Sequence, residues 1–361
     1  MFQSPSLKDI SGCAIASILN TKGKGIKGDV ITSAISVMRE RSNGLGGGFA
    51  AYGIYPEFKD YYAFHIMFVD ESIKESVEAY LQEKMVLVKS EAIPTRKKMS
   101  FLNTPLLWRY FLEVPKSKLT SPITEEDYVV SIVMKINKRF NGAFVFSSGK
   151  NMGVFKGLGY PEDISRFYRL EEYEGYLWTA HGRFPTNTPG WWGGAHPFAL
   201  LDWSVVHNGE ISSYGTNKRY VETFGYECSL LTDTEVIVYL LDLLIRRHGL
   251  PIDIALNALA PPFWAEIDSM DKNMKEALSA LRMVYASALL NGPFSIIIAN
   301  SHMMIGLTDR IMLRPLVAAK KDDFYYMASE EAAIREICIE PDTVWSPKGG
   351  EPIVVRMEVR T

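Results

Sequence analysis

His181-Gly182-Arg183-Phe184-Pro185-Thr186-Asn187-Thr188, then Val205-Val206-His207-Asn208-Gly209-Glu210-Ile211, then Leu231-Thr232-Asp233-Thr234-Glu235: three short strings fall in one stretch of the chain. The first sets an arginine among turn residues. The second ends an apolar run in Asn-Gly, and the third places an aspartate at the opening of a helix. An Arg grips a carboxylate through two parallel N–H bonds, and an Asp accepts from an ammonium group. Arg183 and Asp233 are therefore candidates for the two ends of a free amino acid. Asn208 offers a side-chain amide and Gly209 an unhindered N–H, the donor pair that an oxyanion requires. Each string alone has a plainer reading: a solvated arginine, a type I′ hairpin turn, and a helix cap. The stretch holds no nucleophile; the candidate is Cys13, far upstream.

Taken in order, these strings resemble the glutamine-binding half of the class II (N-terminal-nucleophile) glutamine amidotransferases. Arg183-Phe184-Pro185-Thr186-Asn187-Thr188 and His207-Asn208-Gly209-Glu210-Ile211 look most like the glutaminase domain of glutamate synthase. Asp309-Arg310 with Leu313-Arg314-Pro315, and Ala328-Ser329-Glu330, are similar to further patterns of that enzyme. The resemblance implies an α+β fold, the four-layer αββα sandwich of N-terminal-nucleophile hydrolases. It also implies roles. Cys13 attacks the side-chain amide of L-glutamine, while Asn208 and Gly209 hold the oxyanion. Arg183, with Thr186 nearby, binds the α-carboxylate, and Asp233 binds the α-ammonium. Glutamate, ammonia and a transient cysteinyl thioester follow.

Two departures from the family pattern stand out. Twelve residues precede Cys13, so residues 1–12 are expected to be a propeptide removed by a cut at Gly12–Cys13, leaving 13–361 as the amidotransferase domain. Ala14 stands where the family usually has glycine. A thiol must lose its proton to attack, and no His or Asp neighbours Cys13 in sequence. Were Cys13 the first residue, its own α-amine, with an ordinary pKa near 8, would supply the base. FMN and an iron–sulfur cluster are expected only on a separate synthase subunit of glutamate-synthase type, with no cofactor in this chain.

Composition narrows the remaining classes. The 361 residues are 47% hydrophobic, ample for a large core, with 39 Lys plus Arg against 42 Asp plus Glu and a net charge of −3. No basic excess points to nucleic acid. Cys13, Cys228 and Cys338 are too few and scattered for a disulfide framework, which suits a reducing cytoplasm. Met1 to Gly12 lacks the apolar core of a signal peptide, and the apolar run Val236 to Ile245 is far short of a membrane span.

In chain order, Cys13 to Asn20 reads as a buried strand, with a helix capped by Asp29 after a Gly/Lys loop. Gly-rich Arg41 to Gly48 feeds a strand at Phe49 to Tyr55, followed by a strand at Tyr61 to Val69. Glu71 to Lys84 reads as a helix with one buried stripe. Met85 to Lys89 and Leu106 to Val114 are strand or short-helix candidates. Thr124 with Asp127 opens a helix in capping-box fashion. Ala143 to Ser148 and Met152 to Phe155 read as a hairpin, and the middle third carries no recognisable chemistry. Trp191 to Phe198 is an aromatic, glycine-rich loop able to cover a pocket. Asp233 opens a helix to about Arg247. Helical regions at 252–259 and 270–289 precede strands at 294–299, 303–307 and 324–328 and a last helix from Ser329. No internal repeat or linker is visible, so one domain is expected.

Other readings stay open. Gly23-Lys24-Gly25-Ile26-Lys27-Gly28 is a literal G-x-G-x-x-G between strand and helix, the turn of a dinucleotide-binding oxidoreductase. An unprocessed chain would be a non-catalytic glutamine-binding scaffold. His181, His196 and His207 sit beside the motifs, but their spacings are long for a metal site, and hydrogen bonding to loops is the expected role.

Overall fold

The computed structural model describes residues 12–99, 101–119, 121–184 and 190–358. At its centre lies β1 (Ala14–Asn20), every residue of which is buried. It is flanked on one side by β16 (Phe324–Ala328) and on the other by β10 (Leu177–Gly182). The sheet continues through β15 (Val317–Lys321) to β17 (Thr343–Trp345) at one edge, and through β3 (Gly47–Tyr52) to β8 (Met152–Gly157) at the other. A second sheet runs β11 (Phe198–Leu200), β12 (Trp203–Gly209), β13 (Phe294–Asn300), β14 (Met303–Thr308), β18 (Ile353–Arg356).

The two sheets pack face to face where β1 and β10 meet β12 and β13. Side chains of β12 and β13 alternate with period two. Val206, Ile297 and Ala299 cluster with Ile15 and Ile18 of the first sheet, whereas Val205, Ile296 and Ile298 cluster with the helix Asp233–Leu241. Each such aliphatic side chain, fully buried, contributes about 1.5–3 kcal/mol of transfer free energy. Helices α1 (Gly28–Ser36), α4 (Pro161–Tyr168) and α10 (Glu331–Ile337) cover the outer face of the seven-stranded sheet. On the outer face of the five-stranded sheet lie α6 (Asp233–Leu241) and, against it, α5 (Tyr214–Thr223). Helix, sheet, sheet, helix: the four-layer α+β sandwich is the observed architecture.

The middle third builds an extension. Strands β5 (Val86–Ala92), β6 (Leu106–Glu113), β4 (Tyr62–Phe68) and β7 (Ala143–Ser147) form a four-stranded sheet carrying α2 (Glu71–Lys84) and α3 (Glu125–Arg139). Asp70 caps α2 by accepting from Ile73 N–H, and Thr124 with Asp127 makes the expected capping box on α3. The helices α7 (Ile252–Leu259), α8 (Trp264–Asp268) and α9 (Lys272–Val284) fill the stretch before β13, and β2 (Ile26–Lys27) pairs with β9 (Glu174–Gly175).

Four sequence expectations need correction. β7 and β8 are not a hairpin: β7 pairs with β4 and β8 with β3, in different sheets. The strand expected at Phe49 to Tyr55 is Gly47–Tyr52. Helix α1 begins at Gly28, with Lys27 rather than Asp29 at its N-cap. Thr232, not Asp233, caps α6, accepting from Glu235 N–H, and α6 passes into a π-helical turn at Asp242–Arg247. All strand pairs among the described residues are antiparallel. The loop Gly23–Gly28 therefore lies outside the parallel βαβ unit that a dinucleotide turn needs.

Candidate active site

Strand register brings the distant residues together. Ala14 lies opposite Gly182, so Cys13, one residue before β1, meets Arg183, one residue after β10. The Cys13 sulfur accepts from the Phe184 N–H at 3.3 Å. β12 packs across both strands and ends in Asn208-Gly209. Gly209 has φ 137°, and a β-carbon there would fall 2.0 Å from the Pro293 carbonyl, so no other residue fits. Helix α6 lies on β12 and opens on Asp233. Because Thr232 serves as the cap, the Asp233 carboxylate is released from that duty and turns towards the cavity.

That cavity measures about 320 Å³, at the small end of ligand pockets. Cys13, Arg183, Gly209 and Asp233 all line it, together with His196 and His207. Larger clefts of about 770 and 780 Å³ elsewhere on the surface contain none of these residues. Asn208 does not line it: its Nδ2 donates to Ser329 Oγ at 3.3 Å, while its buried Oδ1 faces Gly12 and has no hydrogen-bond partner among the described residues. Thr186 lies outside the described residues.

Asp233 is held firmly. Oδ2 accepts from the Ile211 N–H at 3.0 Å, Oδ1 accepts from the Thr234 hydroxyl at 3.2 Å, and His207 Nδ1 stands 3.5 Å away. Burial works to raise its pKa, but His207 and these hydrogen bonds outweigh it, and the carboxyl stays below its ordinary value. It is an anion at neutral pH. The Thr234 hydroxyl also meets His196 Nε2 at 2.7 Å and His207 Nδ1 at 3.1 Å, and His181 Nε2 bonds the His207 carbonyl at 2.9 Å. Burial pushes His181 down to about 3 and His196 well below the usual range, so both are neutral. Glu235 braces the turn before α6 by accepting from Ser229 and Leu230 N–H; burial pushes it up to about 7.

Among the described residues no side-chain base hydrogen-bonds the thiol. Burial raises the Cys13 pKa above its ordinary value, opposed by the Phe184 N–H and by Arg183 and Arg314, and supported by Asp233. Its hydrogen-bond contacts among the described residues are with the Phe184 backbone. Neutral pH therefore leaves it as a thiol, and attack on a carbonyl needs a proton acceptor. The site can hold a zwitterionic amino acid between a guanidinium and a carboxylate, with a sulfur at its side.

Sequence reasoning assigned no role to Ser329, Arg41 or Arg314, although the strings containing Ser329 and Arg314 had been singled out. Ser329 Oγ accepts from the Ile15 N–H at 3.2 Å and meets Asn208. Arg41 donates through Nε to the Cys13 carbonyl at 3.2 Å.

Comparisons with known proteins place the chain in a family. Residues 59–348 match the model of the class II glutamine amidotransferases; the match begins after Cys13. An uncharacterized protein of Archaeoglobus fulgidus is 52% identical over 98% of this chain and 94% of its own length. A glutamine–fructose-6-phosphate aminotransferase of Sulfurisphaera tokodaii is 28% identical over 59% of this chain, which spans 34% of that enzyme. The glutamate synthase [NADPH] large chain of Bacillus subtilis is 27% identical over 50% of this chain and 13% of its own length. With that family matched across most of its length, the chain belongs to the class II glutamine amidotransferases.

Proposed function

We propose that the active form begins at Cys13 and hydrolyses L-glutamine to glutamate and ammonia, passing the ammonia to a separate synthase polypeptide of glutamate-synthase type. The observation that carries this reading is the convergence of Cys13, Arg183, Gly209 and Asp233 on one cavity. Removal of residues 1–12 exposes the α-amine, which takes the thiol proton as sulfur bonds to the amide carbon. The oxyanion is held by the Gly209 N–H and the Asn208 carboxamide. The amine then returns the proton to departing ammonia, and water hydrolyses the thioester. Arg183, with Thr186, holds the α-carboxylate and Asp233 the α-ammonium.

The synthase assignment rests on the glutamate-synthase-like strings and on the likeness to that enzyme's large chain. FMN and the iron–sulfur cluster belong on the partner, with none assigned to this chain. The three free cysteines suit a cytoplasmic setting. No helix among the described residues is long and apolar enough to cross a membrane. Amide nitrogen of glutamine should enter 2-oxoglutarate when both polypeptides are combined. Entry into a sugar phosphate instead would favour the acceptor class named by the aminotransferase relative.

Steady-state kinetics on glutamine test the binding roles. The α-groups of the substrate do not change during reaction at the side chain, so Arg183 and Asp233 act equally on ground and transition states. Arg183→Ala and Asp233→Ala should raise KM by on the order of a hundredfold, with smaller effects on kcat. Arg183→Lys should not rescue, because an ammonium lacks the planar fork. Purely kcat losses in all of these variants would contradict the assignment.

A further inference from the structure

Arg314 lies in the connection between β14 and β15, against the Gly12–Cys13 junction. A β-carbon placed on Gly12 would stand 3.3 Å from Nη1 of Arg314 and 3.4 Å from Nη2 of Arg41. That carbon is three bonds from the Cys13 nitrogen, so both guanidinium groups lie within about 7 Å of it. The two cations are held differently. Arg41 donates to the Cys13 carbonyl and pairs with Glu330 at 2.8 Å, which offsets its charge. Arg314 has no hydrogen-bond or ion-pair partner among the described residues, and its Nε is buried without an acceptor. Leaving a guanidinium nitrogen dry and unpaired is costly, so a compensating use is expected. Other charged or titratable groups facing the junction are Arg183 from the end of β10, Asp233 from α6, Glu330 from the start of α10, and the Cys13 thiol.

We propose that Arg314 is a positioning residue for the base: its unpaired charge keeps the α-amine freed at Cys13 in the unprotonated form at neutral pH. This rests on the reading of Cys13 as an N-terminal nucleophile. An ordinary α-amine has a pKa of about 7.7–8.0, so at pH 7 only roughly one in six to one in eleven is free base. A nearby cation disfavours the ammonium form. Lowering that pKa by about one unit would make roughly half to two thirds of the molecules competent. Arg314 does not line the 320 Å³ cavity. It acts through the amine, and the same charge favours the thiolate once the proton has moved.

The test compares wild type, Arg314→Gln and Arg314→Lys. Intact mass is read first, and each protein should begin at Cys13. A wild type that is active with residues 1–12 attached would fail the underlying reading, before any pH profile is needed. In correctly processed enzyme, the acidic limb of kcat/KM should move up by about one pH unit in Arg314→Gln. Arg314→Lys should restore the wild-type limb, and KM for glutamine should stay within about twofold of wild type. An unmoved limb overturns the proposal. So does a large rise in KM with the limb in place, which would make Arg314 a substrate-carboxylate ligand. Should Arg314→Gln misfold, wild type alone decides: trapping of the N-terminal amine by an aldehyde should titrate about one unit below an ordinary α-amine, and titration at the ordinary value overturns the proposal.

Discussion

Cys13→Ala should abolish ammonia release from glutamine, with a loss of at least about 10⁴-fold, while leaving the fold and glutamine binding in place. The side chain is half-buried, and its hydrogen-bond contacts are with the Phe184 backbone, so removing the sulfur leaves no buried charge unpaired. No other thiol replaces it. Cys228 and Cys338 are buried and line no part of the 320 Å³ cavity. Burial pushes Cys228 above the range in which a thiolate forms near neutrality. Cys228→Ala and Cys338→Ala should therefore keep most of the activity and lose only some packing. Ammonia release by Cys13→Ala at the wild-type rate would remove the basis for the mechanism.

Asn208→Ala should lower kcat by on the order of a hundredfold or more, about 3 kcal/mol of transition-state stabilisation, with little change in KM. The reason lies in how its carboxamide is caught. Ser329 Oγ already accepts from Ile15 N–H, and it also meets Asn208 Nδ2. The Oδ1 atom is buried, unpartnered and turned to Gly12. A half-turn of the carboxamide would let the Ser329 hydroxyl donate to Oδ1 and would direct Nδ2 towards Gly12. A variant that changed KM and left kcat untouched would move Asn208 from oxyanion binding to substrate binding.

Local signals in the chain foretold most of the elements. The Thr124–Asp127 box marks the start of α3, because a capping side chain answers the orphan N–H groups of the first turn, and the buried stripe of Glu71 to Lys84 marks α2. Partner choice is less legible. β7 and β8 follow one another closely and each is apolar, which reads as a hairpin. Asn151, at φ 51°, turns the chain between them, and its carbonyl and side chain accept from Gly53 and Tyr55 N–H. Those bonds commit β8 to β3 in the other sheet, and they form between segments far apart in sequence.

The active site divides the same way. Cys13, Arg183, Gly209 and Asp233 are legible in the sequence through the family that their strings, taken in order, resemble; each alone has a plainer reading. The sequence places Asp233 at the helix start, and only the folded turn shows that Thr232 holds the cap. Arg41 ends the 3-10 turn Arg39–Arg41, Arg314 lies between β14 and β15, and Ser329 follows β16, three places far apart in the chain. Nothing in their own neighbourhoods signals proximity to Cys13.

The most direct measurement is intact mass with N-terminal sequencing of the native, glutamine-hydrolysing protein. The predicted result is a chain that begins at Cys13, with its α-amine free. Full activity in a protein that still carries residues 1–12 would contradict the N-terminal-nucleophile mechanism.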